Sequence, residues 1–169
     1  NTAIRTESGV FSGVGFAVPA QTVLRVVPEL IERGKVDYSW LGISTVPAGN
    51  GLSVAGMAAQ LELPVTSGVL VEGVTPNSPA SKAGLRGGDH PVSVRGRDVC
   101  AGGDIIVAVN DYYVDNMDDL VAYLVTNTRP GDTVTMLIIR GGETFDLPLT
   151  LEARPSDDNA ALPPVCGTT

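Results

Sequence analysis

The residues best placed to do chemistry are Trp40-Leu41-Gly42-Ile43 and the extended run Ser44-Thr45-Val46 behind them. Gly42 sits between two bulky apolar residues where a β-prone segment begins. A glycine there lets the chain turn with φ > 0, so that successive N–H groups point into one concavity. Such a nest binds an anion, and the strand leaving it offers an edge for another chain to pair with. A carboxylate grip beside an open strand describes a receptor for peptide C-termini. On these residues alone, Trp40 and Ile43 read equally well as core residues and Gly42 as an ordinary turn.

Other chemistries lack their residues. The sole histidine is His90, followed by Pro91, and no Gly-x-Ser-x-Gly or Gly-Asn-Ser-Gly-Gly-Pro context marks a nucleophilic serine. His90 reads as a solvated loop residue, so no catalytic residue is assigned. No His-Glu-x-x-His or phosphate-binding Gly-x-x-x-x-Gly-Lys occurs. Asp118 and Asp119 are neighbours on a helix and point about 100° apart, so they serve the helix start and not acid–base work. Gly13-Val14-Gly15 is half of a dinucleotide fingerprint whose third glycine is replaced by Val18. Cys100 and Cys166 permit one disulfide, but their spacing fits neither a zinc site nor a CxxC centre. Whether they pair is open, since Cys166 lies in a weakly patterned tail. No metal or cofactor is expected.

The 169 residues suffice for one domain with a proper core and a smaller appendage. With 43% hydrophobic residues, 20 glycines and 12 prolines, the chain suits a globular fold rich in strands and turns. A net charge of −8 argues against nucleic acid and anionic membrane surfaces as partners. No apolar run approaches the roughly 20 residues that span a bilayer. Opening on Asn1 in what reads as mid-structure, the sequence is expected to be a fragment.

The elements that must position the loop read in order. Residues 1–4 and 14–18 form two short strands around a polar loop. A helix follows over 21–33, with Thr22 as its cap and Val23, Val26, Val27, Leu30 and Ile31 as one apolar stripe. Pro28 should kink it and Gly34 end it. Residues 35–39 make a polar connector. Beyond a glycine-rich loop over 47–53, the pattern predicts a short helix over 54–61, a strand over 69–74 and a helical turn over 78–83 closed by Gly84. The apolar run 105–109 should be a strand buried on both faces. Asn110-Asp111 turns into a return strand. A helix over 116–126 is capped by Asn116, with Met117, Leu120, Val121 and Leu124 on one face. A hairpin spans 133–151 across Gly141-Gly142. Residues 153–169 read as a flexible tail. Gly87-Gly88-Asp89 and Gly102-Gly103-Asp104 are near copies, and the segment 89–104 between them looks like an inserted hairpin, either decoration or an added contact surface.

Trp40-Leu41-Gly42-Ile43, Gly68-Val69-Leu70-Val71, Ser78-Pro79-Ala80-Ser81-Lys82-Ala83-Gly84-Leu85 and Gly103-Asp104-Ile105-Ile106-Val107-Ala108-Val109-Asn110 together resemble a bacterial-type PDZ domain. Upstream, Asn1-Thr2-Ala3-Ile4, Gly15-Phe16-Ala17-Val18-Pro19 and Val26-Val27-Pro28-Glu29-Leu30-Ile31 resemble the last strands and closing helix of HtrA/Deg trypsin-like serine proteases. The resemblance implies an α+β fold: residues 38–152 as a PDZ-like, partly open β-barrel or sandwich with two helices, after a strand pair and helix (1–37) left from a trypsin-like β-barrel. Two departures stand out, the 89–104 insertion and Asp111 where the family usually has glycine. Aspartate tolerates φ > 0 poorly, so a distorted turn is expected there.

By that likeness the triad lies upstream of Asn1, and Ile4, Arg5 and Gly13 are remnants of the protease specificity pocket and activation loop, left without partner strands. The family implies substrate sensing in protein quality control outside the cytoplasm, in the periplasm or at the cell surface, with the parent a homotrimer that can be anchored through its N-terminus. Its partners would be the attached protease domain and unfolded proteins or peptides with hydrophobic C-termini. A non-catalytic adaptor or scaffold carrying the same module is the rival reading. In either case a peptide would pair antiparallel with Ile43, Ser44, Thr45 and Val46, at roughly 1 kcal/mol net per hydrogen bond. Its carboxylate would sit on the N–H groups of Leu41, Gly42 and Ile43. Its last side chain would enter a pocket of Leu41, Ile43, Val121 and Leu124, with Leu120 and Met117 further along. No Lys or Arg lies beside the loop in sequence, so backbone donors alone are expected to hold the carboxylate.

Overall fold

The computed structural model describes residues 3–4, 15–16, 20–46, 52–155 and 166. The chain divides into two compact units, Asn1–Val36 and Asp37–Thr169.

In the first unit, strands β1 (Ala3–Ile4) and β2 (Gly15–Phe16) pair antiparallel, Ile4 opposite Gly15. Ile4 therefore has a partner strand, contrary to expectation. Arg5 and Gly13 lie outside the described residues. Helix α1 runs over Ala20–Arg33, so Thr22 is inside the first turn and does not cap it. Ala20 is a strong helix former and carries the helix past the nearest hydroxyl. Gly34, at φ +69°, ends the helix and donates its N–H to the Leu30 carbonyl at 3.0 Å. The stripe residues Val23, Val27, Leu30 and Ile31 are exposed.

The second unit begins with β3 (Ser39–Trp40), β4 (Ile43–Thr45) and α2 (Val54–Met57). Then come β5 (Val69–Val74), α3 (Pro79–Ala83), β6 (His90–Val94) and β7 (Arg97–Ala101). β8 (Ile105–Val109), β9 (Tyr112–Tyr113), α4 (Met117–Asn127), β10 (Thr133–Arg140), β11 (Glu143–Thr150) and β12 (Glu152–Ala153) complete it. The main sheet runs β11-β10-β8-β5-β4, with β9 also on β8, all antiparallel. It stays open, ending at β4 on one side and β11 on the other.

Period-two alternation explains the two cores. Val69, Val71 and Ile106 enter one cluster with Leu120, Leu124, Met136, Ile138 and Leu149. Leu70 and Ile105 enter a second with Val54, Met57, Val94 and Val99. A strand buried on both faces has no room for polar residues, hence the continuous apolar run of β8. Helix α2 stops at Met57, shorter than expected, with Gly56 inside it weakening propagation.

The inserted segment is a hairpin built into the fold. β6 and β7 pair across Arg95-Gly96, both at positive φ as a two-residue turn demands. Val94 and Val99 are fully buried and cover the second face of the sheet. The two Gly-Gly-Asp copies form the hairpin's neck. A Cβ on Gly103 would lie 2.0 Å from the Val71 carbonyl oxygen, and one on Gly88 would lie 2.3 Å from that of Cys100. Only glycine permits that approach of backbone to backbone.

Two further expectations are corrected. Asn110 (φ +51°), not Asp111, takes the left-handed position of the β8–β9 turn. Asparagine tolerates that conformation, and its Oδ1 accepts from the Thr135 N–H at 2.9 Å. The start of the presumed tail is strand β12, which pairs with β3, Glu152 opposite Trp40 and Ala153 opposite Ser39. Further on, Cys166 is bridged to Cys100.

Candidate functional site

The loop between β3 and β4 is held from behind. Thr75 donates its N–H to the Gly42 carbonyl at 2.8 Å, and Ala80 of α3 donates to the Leu41 carbonyl at 2.9 Å. Both carbonyls thus point into the protein. Gly42 is at φ +81°, and a Cβ there would lie 2.2 Å from Ser78 Cβ. Ser78 caps α3, its Oγ accepting from the Ser81 N–H at 3.2 Å, so the helix cap and the loop share one space. The N–H groups of Leu41 and Gly42 donate to no described residue.

The ladder sets which way Ile43 faces. In an antiparallel pair, opposed residues alternate between hydrogen-bonded and non-bonded positions. Gly42 and Thr75 share a ladder bond, and Ile43 opposes Val74, so Ile43 is a non-bonded position. Its N–H and C=O turn away from β5, toward the side where the sheet order ends.

A groove of about 470 Å³ runs between this edge and α4. Leu41, Gly42, Ile43, Met117, Val121 and Leu124 line it, together with Tyr38, Ser39, Trp40, Val125 and Arg154. Helix α4 is set by its cap: Asn116 Oδ1 accepts from the Asp119 N–H at 3.1 Å, with Asp118 and Asp119 in the first turn.

Some expected residues fall elsewhere. Leu120 has no exposed surface and sits in the first core cluster, outside the groove lining. Ser44 and Thr45 lie in β4, half-buried. Val46 is past the end of β4, with its side chain buried in the second core cluster. Trp40 lines the groove.

The residue that sequence reasoning missed is Arg154. It reaches the groove because β12 continues its pairing with β3, Arg154 donating its N–H to the Tyr38 carbonyl at 3.0 Å. A cation therefore lines the same groove as the loop. The alternation Leu149, Leu151, Ala153 against Thr150, Glu152, Arg154 carries the strand pattern past residue 152 and could have revealed it.

His90 opens β6, away from the groove lining, with its Nδ1 2.6 Å from Asp89 Oδ1. That hydrogen bond holds the Asp89 carboxyl below the ordinary aspartate value. Among the described residues no group of three or more His, Cys, Asp or Glu side chains is placed to hold a metal ion.

An open antiparallel sheet with a glycine loop at its last strand and a capped helix facing that strand is a PDZ architecture. The chain belongs to the PDZ domain family, which residues 39–151 match. It is 32% identical over 157 residues to the probable periplasmic serine endoprotease DegP-like of Marinomonas sp. (strain MWYL1), covering 93% of this chain and 29% of that protein. Against Protease Do-like 1, chloroplastic, of Arabidopsis thaliana, identity is 38% over 157 residues, 93% of this chain and 32% of the relative. The chain thus spans less than a third of these relatives. Among solved structures it resembles the HtrA-type protease AlgW with decapeptide, at a TM-score of 0.65 and 28% identity, covering 93% of this chain and 42% of that one.

Proposed function

We propose that the groove between β4 and α4 binds the C-terminal residues of extended peptides, and that the chain is the substrate-sensing part of an HtrA/Deg-type serine endopeptidase. The observation that carries the reading is that the N–H groups of Leu41 and Gly42, which donate to no described residue, lie next to the outward-facing Ile43 at the end of the sheet. A peptide strand adds there antiparallel, and its carboxylate meets the amides of Leu41, Gly42 and Ile43, each bond to the charged group contributing roughly 1.5–3 kcal/mol. The apolar side chains of Leu41, Ile43, Val121 and Leu124 favour a hydrophobic last residue. Few bonds and one pocket correspond to micromolar affinity.

Likeness to DegP-like endoproteases across 93% of the chain supports the attached protease domain as partner. Residues 1–37 then belong to that domain, 38–152 to the PDZ domain, and the parent assembles as a homotrimer. An extracytoplasmic site of action is supported by relatives named periplasmic and by the Cys100–Cys166 disulfide, since such bridges persist in oxidising compartments. The test is titration of the chain with peptides ending in Val, Leu or Phe, as free acid and as amide. The acid is expected to bind at least tenfold tighter, and Gly42→Val to abolish binding. Equal affinity of acid and amide would sink the reading.

A further inference from the structure

We propose that Arg154 is a specificity-determining residue of this groove, supplying the side-chain countercharge for the terminal carboxylate of the bound peptide. The inference rests on the peptide-binding reading above and adds to it a charged contact from β12.

Three observations carry it. Among the described residues lining the groove, Arg154 is the only Asp, Glu, His, Lys or Arg, in a chain of net charge −8. Its backbone is fixed opposite Tyr38, another residue of the groove lining, by the hydrogen bond to that carbonyl, so a change of side chain leaves the anchor in place. Among the described residues, its guanidinium makes no hydrogen bond or ion pair, whereas Arg140 is committed to Asp104 and Lys82 to Glu152.

Guanidinium suits the role because its planar fork matches a carboxylate, and a long side chain can move toward the ligand without moving the strand. The guanidinium is exposed, so the contribution is modest and screened by salt. The amides of the loop fix where the carboxylate sits, and Arg154 sharpens the discrimination between a true C-terminus and an internal segment or an amidated end.

The experiment compares the full chain with Arg154→Gln and Arg154→Lys. A fluorescein-labelled peptide ending in Val is titrated as free acid and as amide, at low and at physiological ionic strength. Arg154→Gln is expected to weaken acid binding by about two- to fivefold and to flatten its salt dependence. The amide should be unaffected, and Arg154→Lys should recover part of the loss. Two outcomes overturn the proposal while sparing the groove: acid affinity untouched by Arg154→Gln, or acid and amide weakened equally. If the unaltered chain binds acid and amide alike, the groove reading fails and the proposal with it.

Discussion

The carboxylate of Asp104 takes two hydrogen bonds from Arg140, from Nε and from Nη2, both at 2.7 Å. Asp104 is 1% exposed and also accepts the Arg86 N–H at 2.8 Å, while Arg140 Nη2 donates to the Gly84 carbonyl at the end of α3. The pair therefore fastens the helix whose Ala80 holds the Leu41 carbonyl, linking a buried ion pair to the attitude of the peptide loop.

Removing the cation strands a buried charge. Arg140→Met is expected to cost about 3–5 kcal/mol, read as a fall in the urea midpoint. The Asp104 hydrogen bond raises the guanidinium above its ordinary value. A raised cation contributes fully below its unfolded-state value and is lost only as pH climbs through the folded one. On the alkaline side the contribution of Arg140 is thus constant over any workable pH. A loss under about 1 kcal/mol would show that the pair does not hold α3.

The Cys100–Cys166 bridge spans 66 residues and ties the C-terminal segment to the inserted hairpin. Closing so long a loop in the unfolded chain is worth up to about 4 kcal/mol by the chain-entropy account. Cys100→Ser with Cys166→Ser should lower the thermal midpoint by several degrees while the affinity for a Val-terminated peptide stays put, since neither cysteine lines the groove. A parallel loss of affinity would place the bridge in the binding apparatus.

Asp89 and His90 offer a separate reading of pH. The His90 hydrogen bond depresses the Asp89 carboxyl, so whatever stability it lends is present above the unfolded-state value and vanishes as pH falls through the lower, folded one. Both side chains are well exposed, so the effect on overall stability should be slight. An NMR titration of the Asp89 carboxyl should find its midpoint below the ordinary aspartate value, returning toward it in His90→Ala. An unchanged midpoint in that variant would remove His90 as the cause.

How far the sequence carries depends on whether a feature is local. The two-faced run of β8, the cap and stripe of α4 and the Gly141-Gly142 turn are local patterns, and each emerges where the periodicity puts it. Gly42 is legible for the same reason, a turn residue before a strand. Arg154 and the disulfide were not, because they depend on which distant segments meet. A 66-residue separation says nothing about proximity, and alternation that extends a strand past residue 152 does not say that β12 pairs with β3. The flanking Gly-Gly-Asp copies mark the hairpin as an insertion, either decoration or an added contact surface, yet Val94 and Val99 complete a core shared with α2, β5 and β8.

Leu120 and Val121 separate packing from recognition most sharply. They are consecutive on α4 and both belong to its apolar stripe, so sequence spacing assigns them alike. The roughly 100° between consecutive residues around the helix axis divides them: Leu120 has no exposed surface, whereas Val121 is 43% exposed and lines the groove. Truncating a buried leucine removes transfer energy and leaves a cavity, so Leu120→Ala should cost about 2–5 kcal/mol in urea unfolding. Its affinity for a Val-terminated peptide should hold in whatever fraction stays folded. Val121→Ala should leave the unfolding free energy within about 0.5 kcal/mol and weaken that peptide severalfold, because in the proposed binding mode the lost methyl groups face the peptide's last side chain. Tighter or equal peptide binding by Val121→Ala, at unchanged stability, would move the hydrophobic pocket away from this face of α4.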